Sequence, residues 1–229
     1  MLGIVVILGV SWLLLYFIQK ENLAILGFFP IKKRLLQFGL GLLFIFLVRL
    51  LFVFIETKIH SSVWVKNSNF EWILLLKDIQ YHFISALTED LVFRGAILYI
   101  LIKRLGRQWG IFISAAAFGV YHWFSYGMLD SRWIELALVF LGTGFTGYVW
   151  AFTFAKSKSI FLALGFHLAW NLCSSFFFPS QPFGELIYQE TSRTDLVGWS
   201  ELFFYLFNNF APSLMTFIFV KALLKRNYL

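Results

Sequence analysis

The sequence predicts an all-α fold, a polytopic transmembrane helical bundle of about seven spans plus an interfacial helix. Three observations carry that reading. Of 229 residues, 60% are hydrophobic and 14% charged, with a mean hydropathy of +0.78; a soluble domain carries roughly 25% charged residues. The apolar residues form continuous runs, not the alternation of a membrane β-barrel. The basic residues gather in alternate loops. A single cysteine, Cys173, excludes an internal disulfide and a cysteine-rich zinc site.

A helix crossing the ~30 Å hydrocarbon core needs about 20 mostly apolar residues. Residues 1–19 form the first such run. They lack a basic leader and an A-x-A site, so they read as a span and not a signal peptide. Residues 35–55 form the second, interrupted only by Arg49. Residues 70–78, with Trp72, Lys77 and Asp78, read as interfacial. Residues 79–102 are apolar at both ends, with Glu89, Asp90 and Arg94 between. As one helix they reach ~36 Å, enough for one span. Residues 108–129, 136–155, 159–184 and 202–220 complete the seven. No soluble domain or repeat interrupts them, so 1–229 reads as a single membrane domain.

One set of loops carries Lys20, Lys32, Lys33, Arg34, Lys103, Arg104, Arg107, Lys156, Lys158, Lys221, Lys225 and Arg226, with Glu21 as its one acid. The other set carries four basic residues and eight acids. The positive-inside rule then predicts a cell-membrane protein with its N-terminus outside and its C-terminus in the cytoplasm. Basic residues dispersed in this way are topology signals. A nucleic-acid surface would collect them on one face. The expected surroundings are therefore the lipid bilayer, with no nucleic-acid partner; the oligomeric state is left open.

A charge at mid-bilayer costs at least ~2.5–3.5 kcal/mol, so intramembrane acids and bases are functional candidates. Three segments qualify. In Thr88-Glu89-Asp90-Leu91-Val92-Phe93-Arg94-Gly95, Asp90 and Arg94 are four apart and can pair. Glu89 points about 100° away and is left free for chemistry; alternatively all three form one ion-pair cluster. Phe118 and His122 share a helical face, as do His167 and Asn171. Taken singly, His122 reads as a hydrogen-bonded core residue, and His167 with Asn171 as an interhelical clasp. Depth argues for more. Glu89 and His122 lie ~21 and ~22 Å of helix from Lys103 and Arg107, and His167 and Asn171 lie ~14 and ~20 Å from Lys158. Three helices thus place polar groups in one layer.

A carboxylate and two imidazoles in a dry cavity suit water activation as general base and acid. An asparagine amide and an imidazole can donate to a tetrahedral oxyanion. The reaction class this suggests is peptide-bond hydrolysis within the bilayer, on a peptide or protein substrate. Neither G-x-S-x-G nor H-E-x-x-H is present. The sequence requires no cofactor, although Glu89, His122 and His167 could ligate zinc with an open position. Gly142-Thr143-Gly144-Phe145-Thr146-Gly147 matches a dinucleotide fingerprint without the strand it needs, so close helix packing is expected there.

In this order, Glu89-Asp90-x-x-x-Arg94, Phe118-x-x-x-His122 and His167-x-x-x-Asn171 resemble the CPBP intramembrane proteases, a family that includes CAAX prenyl endopeptidases and bacteriocin-processing (Abi) proteins. The resemblance covers about residues 79–178, the expected protease-like core. It implies that Glu89 and His122 activate water, that His167 and Asn171 stabilise the oxyanion, and that Asp90 and Arg94 support the site. The family pattern usually has a second glutamate where this chain has Asp90. The implied activity is an endopeptidase acting on a membrane-associated protein or peptide, CAAX-type or bacteriocin-processing-like. Two rivals remain: a non-proteolytic membrane scaffold or bacteriocin self-immunity factor, and a small transporter, for which no inverted repeat speaks.

Overall fold

Eight α-helices make up most of the computed structural model, which describes residues 2–179 and 182–228. They are α1 (Leu2–Leu14), α2 (Ile31–Ile59), α3 (Trp72–Phe93), α4 (Ala96–Leu105), α5 (Arg107–Ser125), α6 (Trp133–Ser157), α7 (Phe161–Phe177) and α8 (Trp199–Lys225). A π-helical turn, Leu15–Gln19, extends α1. A short antiparallel ribbon joins β1 (Val63–Lys66) to β2 (Tyr188–Ser192). The chain is a multi-pass membrane protein. By length and composition, Leu2–Gln19, Leu23–Ile59, Trp133–Ser157 and Trp199–Lys225 can each cross a bilayer, and α7 is a shorter apolar helix. The helices α3 and α5 fall outside that set because they carry polar residues that neighbouring helices cover: Asp78, His82, Asp90, Ser114 and His122 are all buried.

Two expectations change. The run 79–102 is not one span, because the helix stops at Phe93 and restarts at Ala96. Gly95 makes the break, and a Cβ on it would stand 2.1 Å from the Leu91 carbonyl oxygen. The Phe93 carbonyl, left over at the helix end, accepts from Ser114 Oγ at 2.6 Å. The stretch expected to be interfacial is no separate helix either, since Trp72 to Asp78 form the first turns of α3.

Close approach sets the packing. The helices α2 and α7 run parallel: Gly41 meets Leu162 and Phe166, and further along Arg49 meets Ser174. A Cβ on Gly165 would lie 2.3 Å from the Phe38 carbonyl oxygen, and one on Gly41 2.5 Å from that of Leu162. Small residues of this kind let membrane helices pack by van der Waals contact where no hydrophobic force drives association. The Gly142–Gly147 tract does the same, with Gly147 against the Phe118 ring and Gly142 against Asn209. The helices α6 and α8 are joined by Thr146 and Ser213, whose hydroxyls are 2.7 Å apart.

The alternating loops sort to two ends. At one end Arg104 donates to the Ile18 carbonyl, Arg34 to that of Ser157, and the Ile160 amide to that of Leu26. At the other lie the β-ribbon, the Arg193–Glu56 pair at 3.0 Å and the Thr194 amide on the His60 carbonyl.

Candidate active site

The break after α3 delivers Arg94 into the bundle. Its side chain is wholly buried, and its guanidinium lies 3.9 Å from the Phe118 ring centroid and 4.9 Å from that of Trp150. Arg94 Nη1 is 3.2 Å from Asp90 Oδ1, the pairing that the spacing predicts. The angle does not suit a hydrogen bond, and all three guanidinium nitrogens lack one. Charge attraction and the aromatic faces hold it.

His167, on α7, faces both acids of α3. Its Nδ1 is 3.4 Å from Asp90 Oδ1 and its Nε2 3.8 Å from Glu89 Oε2. Glu89 therefore turns towards an imidazole and is not isolated from the cluster. Its other carboxylate oxygen accepts from Ser85 Oγ at 3.3 Å. The Trp150 ring stacks obliquely on His167, with centroids 4.6 Å apart.

His122, on α5, places Nδ1 2.7 Å from the Phe118 carbonyl oxygen. A carbonyl only accepts, so Nδ1 carries the proton and the neutral ring keeps Nε2 as an acceptor. His122, His167 and Asn171 line one cavity of about 140 Å³ among α2, α5, α6, α7 and α8. That volume holds several water molecules. Glu89 does not line it; the carboxylate reaches this group through His167. Among the described residues, no three His, Cys, Asp or Glu side chains are grouped to hold a metal ion.

Sequence reasoning missed the opposite wall. Thr143 and Thr146 on α6 and Asn209, Ser213 and Thr216 on α8 face the same cavity. Asn209, Ser213 and Thr216 recur at i, i+4 and i+7, a spacing that was available to read. It also missed a second buried group, in which Asp78 accepts from Ser175 Oγ at 2.9 Å and stands 3.1 Å from His82 Nε2.

A buried carboxylate–imidazole site inside a polytopic helical membrane bundle defines the class. Residues 71–173 match the family model described as Rce1-like, Type II CAAX prenyl endopeptidase Rce1-like, a protease family, and the matched stretch holds all six predicted site residues. The match bears out the CPBP resemblance that the motifs carry. No curated protein and no solved structure matches the chain.

Proposed function

We propose that the chain is an intramembrane endopeptidase in which Glu89 activates water. The observation that carries this reading is the convergence of His167 on Glu89 and Asp90 at the edge of a cavity shared with His122 and Asn171. Glu89, at the cavity's edge beside His167 Nε2, takes a proton from a water molecule that enters there from the cavity and is oriented by His122 Nε2. The resulting hydroxide adds to the scissile carbonyl carbon. His167 and Asn171, one turn apart on α7, donate to the oxyanion. Glu89 then passes its proton to the departing amine nitrogen as the C–N bond breaks, which restores the carboxylate and releases acid and amine. Asp90 orients the His167 ring from the other side, as carboxylates commonly do for working imidazoles. No step is routed through zinc.

The substrate is a peptide or protein already associated with the membrane, because the cavity lies inside the bundle. CAAX-type cleavage is the activity that the family match favours. By the positive-inside rule the loop charges favour a cytoplasmic basic end and an outside N-terminus. The experiment is cleavage of a CAAX-type and of an unmodified membrane peptide by purified protein in detergent. Glu89→Gln is expected to lower the rate by about 10²–10⁴ while the protein remains folded. Undiminished cleavage by that variant rejects the mechanism.

A further inference from the structure

Outside the site, the basic end of the bundle holds a cavity of about 330 Å³ between the 24–34 segment, α4 and the end of α6. Arg34, Lys103 and Lys158 line it together with Ile25, Phe29 and Phe154. Arg34 is only 8% exposed. Its guanidinium donates to neutral oxygens alone: the carbonyls of Phe29 and Ser157 and the amide of Gln37. Among the described residues none of the three cations has an acidic partner within 4.0 Å, and no acid lines the cavity. Glu21, the acid of this end, accepts from the Tyr99 hydroxyl instead.

A buried guanidinium without a counter-charge is costly. Here it borders an unfilled space with two lysines on its rim. The space has an apolar side as well, and Phe29, 77% exposed, continues that side outward. We propose that this cavity binds the phosphodiester headgroup of an anionic phospholipid, with the cations on the phosphate and an acyl chain along Phe29. The shared chemistry is a phosphate oxyanion. The apolar lining favours a lipid over free phosphate, and the site lies at helix ends where headgroups reside.

The test uses the full chain, purified in zwitterionic detergent. It is titrated with dihexanoyl phosphatidylglycerol, dihexanoyl phosphatidylcholine and inorganic phosphate, with binding read by native mass spectrometry. Phosphatidylglycerol should saturate at one per chain and bind about 10-fold or more tighter than phosphatidylcholine. Lys103→Glu with Lys158→Glu, both at exposed positions, should remove the preference, and Arg132→Glu at the opposite end should keep it. Equal binding of the two lipids by the unaltered protein overturns the proposal, as does an undiminished preference in the double variant. Displacement of the lipid by equimolar phosphate assigns the site to a soluble anion and overturns the lipid reading.

Discussion

Replacing Arg94 with methionine removes the cation that faces Asp90 while filling much of the same space. Both Arg94 and Asp90 have wholly buried side chains, and their closest atoms are 3.2 Å apart. At an effective dielectric of about 20, that separation corresponds to about 5 kcal/mol of attraction. The guanidinium also faces Phe118 and Trp150, each such contact giving up to about 2 kcal/mol when desolvated. Desolvating the pair offsets much of this sum. The loss on removing one partner is larger than the pair's net worth, because Asp90, whose Oδ2 already lacks a hydrogen bond, is left buried with no cation and only the long contact to His167 Nδ1 at 3.4 Å. Arg94→Met should therefore cost about 3–5 kcal/mol. Adding Asp90→Asn to Arg94→Met should restore most of that, since neither charge is then stranded. The assay is reversible unfolding in mixed micelles with rising SDS, followed by tryptophan fluorescence. A single variant that loses less than about 1 kcal/mol, the range of an exposed pair, refutes the reasoning. So does a double variant as unstable as the single.

Other outcomes follow from the same geometry. Asn171→Leu should lower kcat by about 10²–10³ with little change in KM, the loss expected for one oxyanion donor; single-turnover cleavage reads it. Gly165→Ala drives a methyl into the Phe38 carbonyl and should destabilise the α2–α7 contact by about 1–3 kcal/mol. Gly9→Ala, where nothing lies within 4 Å, serves as its control in the same unfolding assay. Treatment with 1,10-phenanthroline should leave the cleavage rate unchanged, because the proposed mechanism routes no step through a metal. Inhibition that zinc reverses would reject the metal-free route.

The spans were readable because α1, α2, α6 and α8 are long and apolar enough to cross a bilayer, which hydropathy reports directly. The break at Gly95 was not. Hydropathy averages over it, and the steric cause, the Leu91 carbonyl beneath a missing Cβ, exists only once the chain has turned. The β-ribbon was hidden for a related reason. Val63–Lys66 is four residues long and gains its partner from 122 residues away or more along the chain. The loop charges did foresee which loops share an end, since charge is a property of the sequence and alternate spans must return to the same side.

The candidate site shows where helical spacing informs and where it stops. Spacing predicted that Asp90 would pair with Arg94 and that Glu89, about 100° around the helix, would be free of that pair. The two nitrogens of an imidazole lie on opposite sides of a rigid ring. Inserted between the acids, His167 meets Asp90 with Nδ1 and Glu89 with Nε2. Divergence on α3 is thus matched by the shape of one side chain on α7, and no spacing rule within a single helix could supply that. It also gives the second acid a reason to be one. Aspartate at position 90 spans to Arg94 and to His167 with the same Oδ1, so it couples the buried charge to the ring that faces Glu89. Asp90→Glu, which restores the family's usual pair of glutamates, lengthens that side chain by one methylene in a fully buried position. It should shift the His167 ring and change kcat more than KM. An unchanged kcat would refute a part for Asp90 in positioning the ring.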